Sequence, residues 1–394
     1  MMSSDSINNL PSESASPIPE SSTARLDHSS YQEGIEESKR LIEEQAIESS
    51  RGELAWSIEN QDLINEIKPG TEEIDLSHSR IRTLRGFEQH LVALAPSLKR
   101  LNFRQNLINS LQLDQLIDHR SDGSLAKSAQ DLSDQKIVPF HPLVHLEELD
   151  LYDNQISKIA GLDSLENLKT LDLSFNLIRK IENLDHLKSL KTFYLIQNKI
   201  SRIEKLDCLC NTLTSLELGS NRIRHITNLS SLTNLTELWL GRNKISKLEG
   251  LESLVNLKSL SIQSNRIVKL EGLENLRELE ELYISHNGLT KIGDGLLMNK
   301  KLKVLDISAN QINELNGIEE LSCLEELWAN NNQLSVAAFN SISPKLSQEL
   351  MPNLKTVYLE GNPLQTDMGP NYRRKLVLAC PQLIQIDATF VKTS

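Results

Sequence analysis

The chain has 394 residues, 39% of them apolar and 24% charged, which is enough apolar material for an extended core. No run of about 18 apolar residues offers a membrane span, and the opening "MMSSDSINNLPSESASPIPESS" lacks the basic and apolar regions of a secretory leader. A soluble intracellular protein is expected, and the cysteines Cys208, Cys210, Cys323 and Cys380, which form no CxxC pair, fit a reducing compartment.

The net charge of -12 is unevenly spread, with fourteen acidic against five basic residues in 1–70. Residues 1–69 therefore read as an acidic, largely disordered tail, since Ser, Pro and Glu bury too little to offset the entropy of ordering. Helical spacing returns between Tyr31 and Ile67, as a marginal helix or an N-terminal cap.

From residue 70 onward one frame recurs. Ser79 and Asn106 mark two degraded copies, and an insertion at 112–142, containing "DHRSDGSLAKSAQDLSDQK", is expected to be a flexible loop. Asparagines then follow at 154, 176, 198, 221, 243, 265, 287, 310 and 332, spaced by 22 or 23 residues. Around each stands Leu-x-x-Leu-x-Leu-x-x-Asn-x-Ile-x-x-Ile-x-x-Leu-x-x-Leu, as in Leu168, Leu171, Leu173, Asn176, Ile178, Ile181, Leu184 and Leu187.

In Leu-x-Leu the alternation turns both leucines inward, making a short parallel strand. The asparagine amide satisfies backbone groups where the chain leaves the strand. The three-residue spacing beyond it suits a short helix or 3-10 turn, and no copy can bury its leucines without a neighbour. This is the leucine-rich-repeat signature. The expected fold is α/β, a leucine-rich-repeat solenoid or horseshoe over 70–364, with a parallel concave sheet and short convex turns. A loop at 335–352 lengthens the penultimate repeat, and residues 365–394 break the period and form a C-terminal cap.

The outward positions of the strands carry the functional signal. The central slot holds Asp150, Asp172, Tyr194, Glu217, Trp239, Ser261, Tyr283, Asp306, Trp328 and Tyr358. Five of the nine Trp and Tyr residues of the chain stand in this one column, and the thirty outward positions from Glu148 to Glu360 include no Lys or Arg. Aromatic rings also shield sheets, and acids also serve solubility. An organised column without a base exceeds what shielding requires and reads as a surface for a basic partner.

Catalytic and cofactor chemistry is not indicated. The sequence has no Gly-rich phosphate loop, HExxH or GxSxG, and no cofactor or metal site is expected. His141 and His145 flank Pro142 without a completing carboxylate. Nucleic acid is disfavoured because phosphates need a basic face. "KIVPF", Lys136 to Phe140, has the form of a short phosphatase-docking motif, but its proline removes a strand donor and the motif is discounted.

The tandem frame, the ending "LKTVYLEGNPLQ" and then "YRRKLVLACPQLIQIDATFV" resemble the regulatory subunit 7 family of type-1 serine/threonine protein phosphatase, from about residue 70 onward. That resemblance implies a non-catalytic subunit whose concave face grips the phosphatase catalytic subunit. The family's gripping residues carry over to Asp172, Tyr194, Glu217, Trp239, Asp306, Glu326, Trp328 and Tyr358, and the slot pattern adds Asp150 and Tyr283. It also implies roles in phosphatase maturation, localisation and mitotic chromosome segregation, a nuclear and cytoplasmic location, and a further phosphatase inhibitor as third partner. The alternative is a general intracellular scaffold for a different basic partner.

Overall fold

The computed structural model describes residues 60, 62, 63, 67–114 and 136–391, all within one compact unit, Gly52–Ser394. The expectations for the acidic tail and for the centre of the insertion fall outside these residues. The chain begins with β1 (Glu73–Asp75), α1 (Glu88–Leu94) and β2 (Arg100–Asn102), then a short ribbon of β3 (Leu113–Asp114) and β4 (Lys136–Ile137). The regular strands follow: β5 (Glu148–Asp150), β6 (Thr170–Asp172), β7 (Thr192–Tyr194), β8 (Ser215–Glu217) and β9 (Glu237–Trp239). Next come β10 (Ser259–Ser261), β11 (Glu281–Tyr283), β12 (Val304–Asp306) and β13 (Glu326–Trp328). The last stretch runs α2 (Val336–Ile342), β14 (Thr356–Tyr358), α3 (Pro363–Met368), α4 (Tyr372–Ala379), β15 (Gln385–Ile386) and β16 (Thr389–Phe390).

Apart from β3 and β4, the strands form one 14-stranded sheet in chain order, parallel throughout until β15 and β16 pair antiparallel. Register is repeat on repeat, so that Leu216 pairs Phe193 and Leu238 while Glu217 pairs Tyr194 and Trp239. The inward leucines and isoleucines from Ile74 to Ile386 make one continuous core.

Buried asparagines fix the repeats to one another. Asn221 Oδ1 accepts the Ile200 N–H of the preceding repeat at 3.0 Å. Its amide donates to the carbonyls of Leu195, one repeat back, at 2.8 Å and of Leu218 in its own repeat at 3.1 Å. The residue before each such asparagine takes the left-handed conformation, as in Phe175, Gln197, Ser220 and Arg242 at φ between 55° and 56°. That costs on the order of 1 kcal/mol per non-glycine residue and persists because the amide holds both sides of the turn.

Both irregular segments are more ordered at their edges than expected. At the insertion, β3 and β4 pair antiparallel, and Phe140 is fully buried with its ring 6.2 Å from that of Phe103. The 335–352 segment contains α2, whose N-terminus is capped by Ser335 Oγ accepting the Ala338 N–H, and it buries Phe339, Leu346 and Met351. The C-terminal segment closes the core. Arg373 donates to the carbonyls of Ile386, Thr389 and Phe390, and the Tyr372 hydroxyl donates to Asp387, whose carboxylate also accepts the Leu359 and Glu360 N–H groups. At the other end, the Asn60 amide donates to the carbonyls of Thr83 and Arg85.

Replacing Asn221 with Ala leaves the buried Ile200 N–H without its acceptor and takes one of two amide donors from the Leu195 and Leu218 carbonyls, which keep Asn198 and Asn243. We expect a loss of about 2–3 kcal/mol in denaturant unfolding. A loss below about 0.5 kcal/mol, within the range of ordinary surface changes, would show that the ladder is dispensable.

Candidate functional site

The central slots form one column across the face of the sheet, because each strand pairs its neighbour in register. Asp150 is paired with Asp172, Asp172 with Tyr194, Glu217 with Trp239, and Asp306 with both Tyr283 and Trp328. The structure therefore brings together the ten expected residues: Asp150, Asp172, Tyr194, Glu217, Trp239, Tyr283, Asp306, Trp328 and Tyr358 stand in the column, and Glu326 stands in the flanking slot of the Trp328 strand. Their exposure is lower than strand alternation suggests. Nine are half-buried, and Asp306, between two rings, is only 7% exposed.

The rings lean across the strands instead of standing free in solvent. Trp239 and Tyr283 are two strands apart, yet their centroids lie 6.2 Å apart with planes 20° from parallel. The residue between them in register is Ser261, 1% exposed, whose small side chain leaves room for the two rings to close over it. Trp328 meets Tyr358 edge-on at 5.8 Å. Its indole N–H donates to Glu326 at 3.1 Å, and Gln385 from the cap donates to the Tyr358 hydroxyl at 2.6 Å. Such bracing lowers the rotamer entropy lost when a partner seals the rings.

The acids divide into two kinds. Asp150, Asp172 and Asp306 each accept the backbone N–H of the residue two further on, Tyr152, Ser174 and Ser308, so part of their presence is turn chemistry. Glutamates do not fold back in this way. Glu237 and Glu281 accept from Ser215 and Ser259, both at 2.9 Å, which aims them along the face. Glu217 has neither hydrogen bond nor ion pair among the described residues.

Cations stay away from most of this column. Among the described residues, Asp150 is the one column acid with an ion pair, to Arg104 at 3.6 Å. Burial raises the pKa of the Glu217 carboxyl, and repulsion from Asp172 and Glu237 raises it further. Asp172 is raised by burial, with the Ser174 hydrogen bonds opposing it, repulsion from Asp150 adding to it and attraction to Arg104 reducing it. The Tyr194 hydroxyl is raised by burial and by the charges of Glu217, Asp172 and Glu237. At Glu217 the column thus holds negative charge that no ion pair or hydrogen bond among the described residues offsets.

Beyond these ten, the degraded repeat of β2 places Arg100 and Arg104 on the same face. Arg100 pairs with Glu73 at 2.6 Å, and the Arg104 guanidinium stacks 3.6 Å from the Tyr152 ring centre. Extending the slot count to the strand before Asn106 identifies these positions in the sequence, and they end the acidic column on its N-terminal side. "KIVPF" is consumed by the fold, with Lys136 and Ile137 in β4 and Phe140 in the core.

No group of three His, Cys, Asp or Glu among the described residues is placed to hold a metal ion. No helix among them is long and apolar enough to cross a membrane. A cavity of about 690 Å³, lined by Val268, Glu274, Lys291 and neighbours, lies on the turns and contains no column residue. The candidate site is therefore an open surface, suited to a macromolecule.

Asparagine ladder, in-register parallel strands and core define a leucine-rich-repeat solenoid. Leucine-rich-repeat family models match residues 125–243, 233–276, 255–297 and 277–334, and the chain belongs to that family. Among curated proteins it is 65% identical over 40 residues to protein phosphatase 1 regulatory subunit 7 of Bos taurus and of Homo sapiens, covering 10% of this chain and 11% of each relative. It is 48% identical over 60 residues to protein phosphatase 1 regulatory subunit SDS22 of Schizosaccharomyces pombe, covering 15% and 18%. These matches bear out the resemblance to the regulatory subunit 7 family, and they span about a tenth of the length of the first relatives. Among solved structures, an internalin (inlF) of Listeria monocytogenes superposes with a TM-score of 0.55 at 23% identity, over 84% of this chain and 89% of that one. The APL1 leucine-rich repeat domain gives 0.56 at 21%, over 77% and 71%. At such identities the likeness concerns the fold alone.

The raised carboxyls give a stability test. A carboxyl whose folded pKa lies above its unfolded value binds more protons when folded, so its ionisation destabilises the fold as pH rises. Replacing Glu217 with Gln should raise the melting temperature at neutral pH. The gain should shrink as both proteins are taken below the ordinary glutamate value of 4.5, where Glu217 is protonated anyway. A lower melting temperature at neutral pH would contradict the repulsion described here.

Proposed function

We propose that this chain is a non-catalytic regulatory subunit that binds the catalytic subunit of type-1 protein phosphatase through the acidic and aromatic column. The observation that carries the reading is the charge at Glu217, without hydrogen bond or ion pair and beside Asp172, next to braced, half-buried rings. A basic partner surface supplies the missing counter-charge, while Trp239, Trp328 and their neighbours supply apolar contact. Strength in such an interface concentrates in a few aromatic anchors, and charge complementarity governs partner choice and association rate. The phosphatase is the favoured client because the relatives of highest identity named above are its regulatory subunits.

At about 4.8 Å per strand, the ten strands from β5 to β14 span on the order of 45 Å, the scale of one face of a globular enzyme. Holding that much of the enzyme on a preformed surface favours one of its conformations only if the affinities for its states differ. In this reading the subunit controls maturation, localisation or activity of the phosphatase in nucleus and cytoplasm, including during chromosome segregation, and a further phosphatase inhibitor joins as third component.

Calorimetric titration with the purified catalytic subunit tests this. The double change Trp328→Ala, Glu326→Ala should weaken binding by about 2 kcal/mol or more, roughly 30-fold. Binding should also weaken as pH falls through the raised Glu217 and Asp172 values, because protonation removes the charge the partner must meet. Unchanged affinity of the double variant would remove the column from the interface, and no measurable binding of the parent chain would remove the phosphatase as partner.

A further inference from the structure

The rim just beyond the asparagine ladder carries the opposite charge to the sheet face. Four consecutive repeats place a base directly after the ladder asparagine: Lys199, Arg222, Lys244 and Arg266. Their backbone is held in line, because each donates its N–H to the previous repeat, at 2.8 Å, onto Ile178, Ile200, Ile223 and Ile245. The four therefore stack at strand spacing, covering on the order of 15 Å. Arg222 and Arg266 are exposed, Lys199 and Lys244 half-buried, and exposed Arg242 precedes the third asparagine of the set.

Like charges on adjacent strands repel, and along most of the row before the strands this chain avoids the cost by alternating sign. Along the row before the strands, Lys99 pairs with Glu72, Lys169 with Glu147, Lys258 and Lys303 with Glu280, and Lys355 with Glu325. The row after the asparagines has no such relief. Among the described residues no ion pair engages Lys199, Arg222, Lys244 or Arg266. The nearest acids along the chain lie five residues away, Glu204, Glu249 and Glu271 after Lys199, Lys244 and Arg266 and Glu217 before Arg222, and two of them are taken, Glu249 by His225 and Glu271 by Lys269.

At its N-terminal end the row changes character. Leu177 occupies the same position one repeat earlier and is 39% exposed, beside Phe175, also 39% exposed. The Phe175 ring lies 4.7 Å from that of Tyr152. An apolar foothold thus continues into a line of cations at fixed spacing.

We propose that this ridge docks an extended acidic polypeptide segment of a partner, with an apolar residue on Phe175 and Leu177 and successive carboxylates facing Lys199, Arg222, Lys244 and Arg266. About 15 Å is the reach of four or five residues of extended chain, so a short segment suffices. A peptide can place its charges on the basic row alone. The phosphates of a nucleic acid would also spread over Glu182, Glu204, Glu249 and Glu271, which argues for the polypeptide. The ridge stands apart from the acidic column, so one client there and another here do not compete by charge.

Fluorescence anisotropy on the full chain tests this, using a labelled peptide of one tryptophan followed by a run of glutamates, and a labelled oligothymidylate. Changing Arg222, Lys244 and Arg266 together to Glu should weaken peptide binding at least about tenfold, and Leu177→Ser should weaken it about threefold. Glu217→Gln on the sheet face should leave it unchanged. Should the triple reversal lose its native circular dichroism, the neutral pair Lys244→Gln, Arg266→Gln replaces it with the same expected direction. Peptide binding unmoved by these changes, absent in the parent chain, or surpassed by oligothymidylate through the same residues would overturn the proposal.

Discussion

Each ladder asparagine binds two repeats at once, and the geometry of the surface depends on that bond. The Asn176 amide reaches the carbonyls of Leu151 and Leu173, while its oxygen takes the Ile156 N–H. A buried amide so placed leaves no freedom for one repeat to slide against the next, since a slip would strand a donor and two acceptors away from water. Register is thereby fixed 22 or 23 residues at a time. Whatever stands one residue after the first inward strand position in one repeat, as Asp172 after Leu171, stands beside its counterpart in the next, here Tyr194.

Columns are the consequence, and the chain writes a different charge into each. Before the strands the sign mostly alternates and the pairs close, as in Lys169 with Glu147 and Lys303 with Glu280. On the strands the sign is negative, with Glu217 and Asp172 raised from their ordinary values by burial, Glu217 further by Asp172 and Glu237, and Asp172 by Asp150. After the asparagines it is positive. A solenoid has no deep cavity in which to concentrate a field, so it gains specificity by repeating one sign along a line. The cost is self-repulsion, distributed over many half-exposed groups and met at each position by rigid backbone.

Features set by the period were legible in the sequence: the ladder, the inward leucines, and the slot that gathers Trp239, Tyr283 and Trp328. Features set by neighbours at irregular distance were not. That Asp306 is nearly buried follows from the rings of Tyr283 and Trp328 on either side, which only the register reveals. The closure of Trp239 and Tyr283 over Ser261 needs three adjacent repeats and a choice of rotamer. Arg104 on Tyr152 bridges the insertion, where the spacing fails, and Arg373 answers carbonyls that exist only because the sheet ends in a hairpin. In the 335–352 segment the helix rests on a Ser335 cap and on Phe339, signals too short for periodicity to carry.

Turn chemistry separates what the column does for the fold from what it offers a partner. Asp150, Asp172 and Asp306 each accept a backbone N–H of their own turn, so an aspartate in the slot has reason to be there in a protein that binds nothing. Glu217 makes no such bond, and its charge is a net cost to the free chain. The rings likewise exceed the need for cover: Ser261 would be as well shielded by a leucine, without an indole N–H or phenol to satisfy. Groups that cost the isolated protein stability, in positions the ladder would tolerate as serine or threonine, fit the proposed reading, in which a partner covers the face. A cationic, partly apolar surface meets both needs at once, and the unneutralised middle of the column, between Asp172 and Glu237, is where its charge counts most.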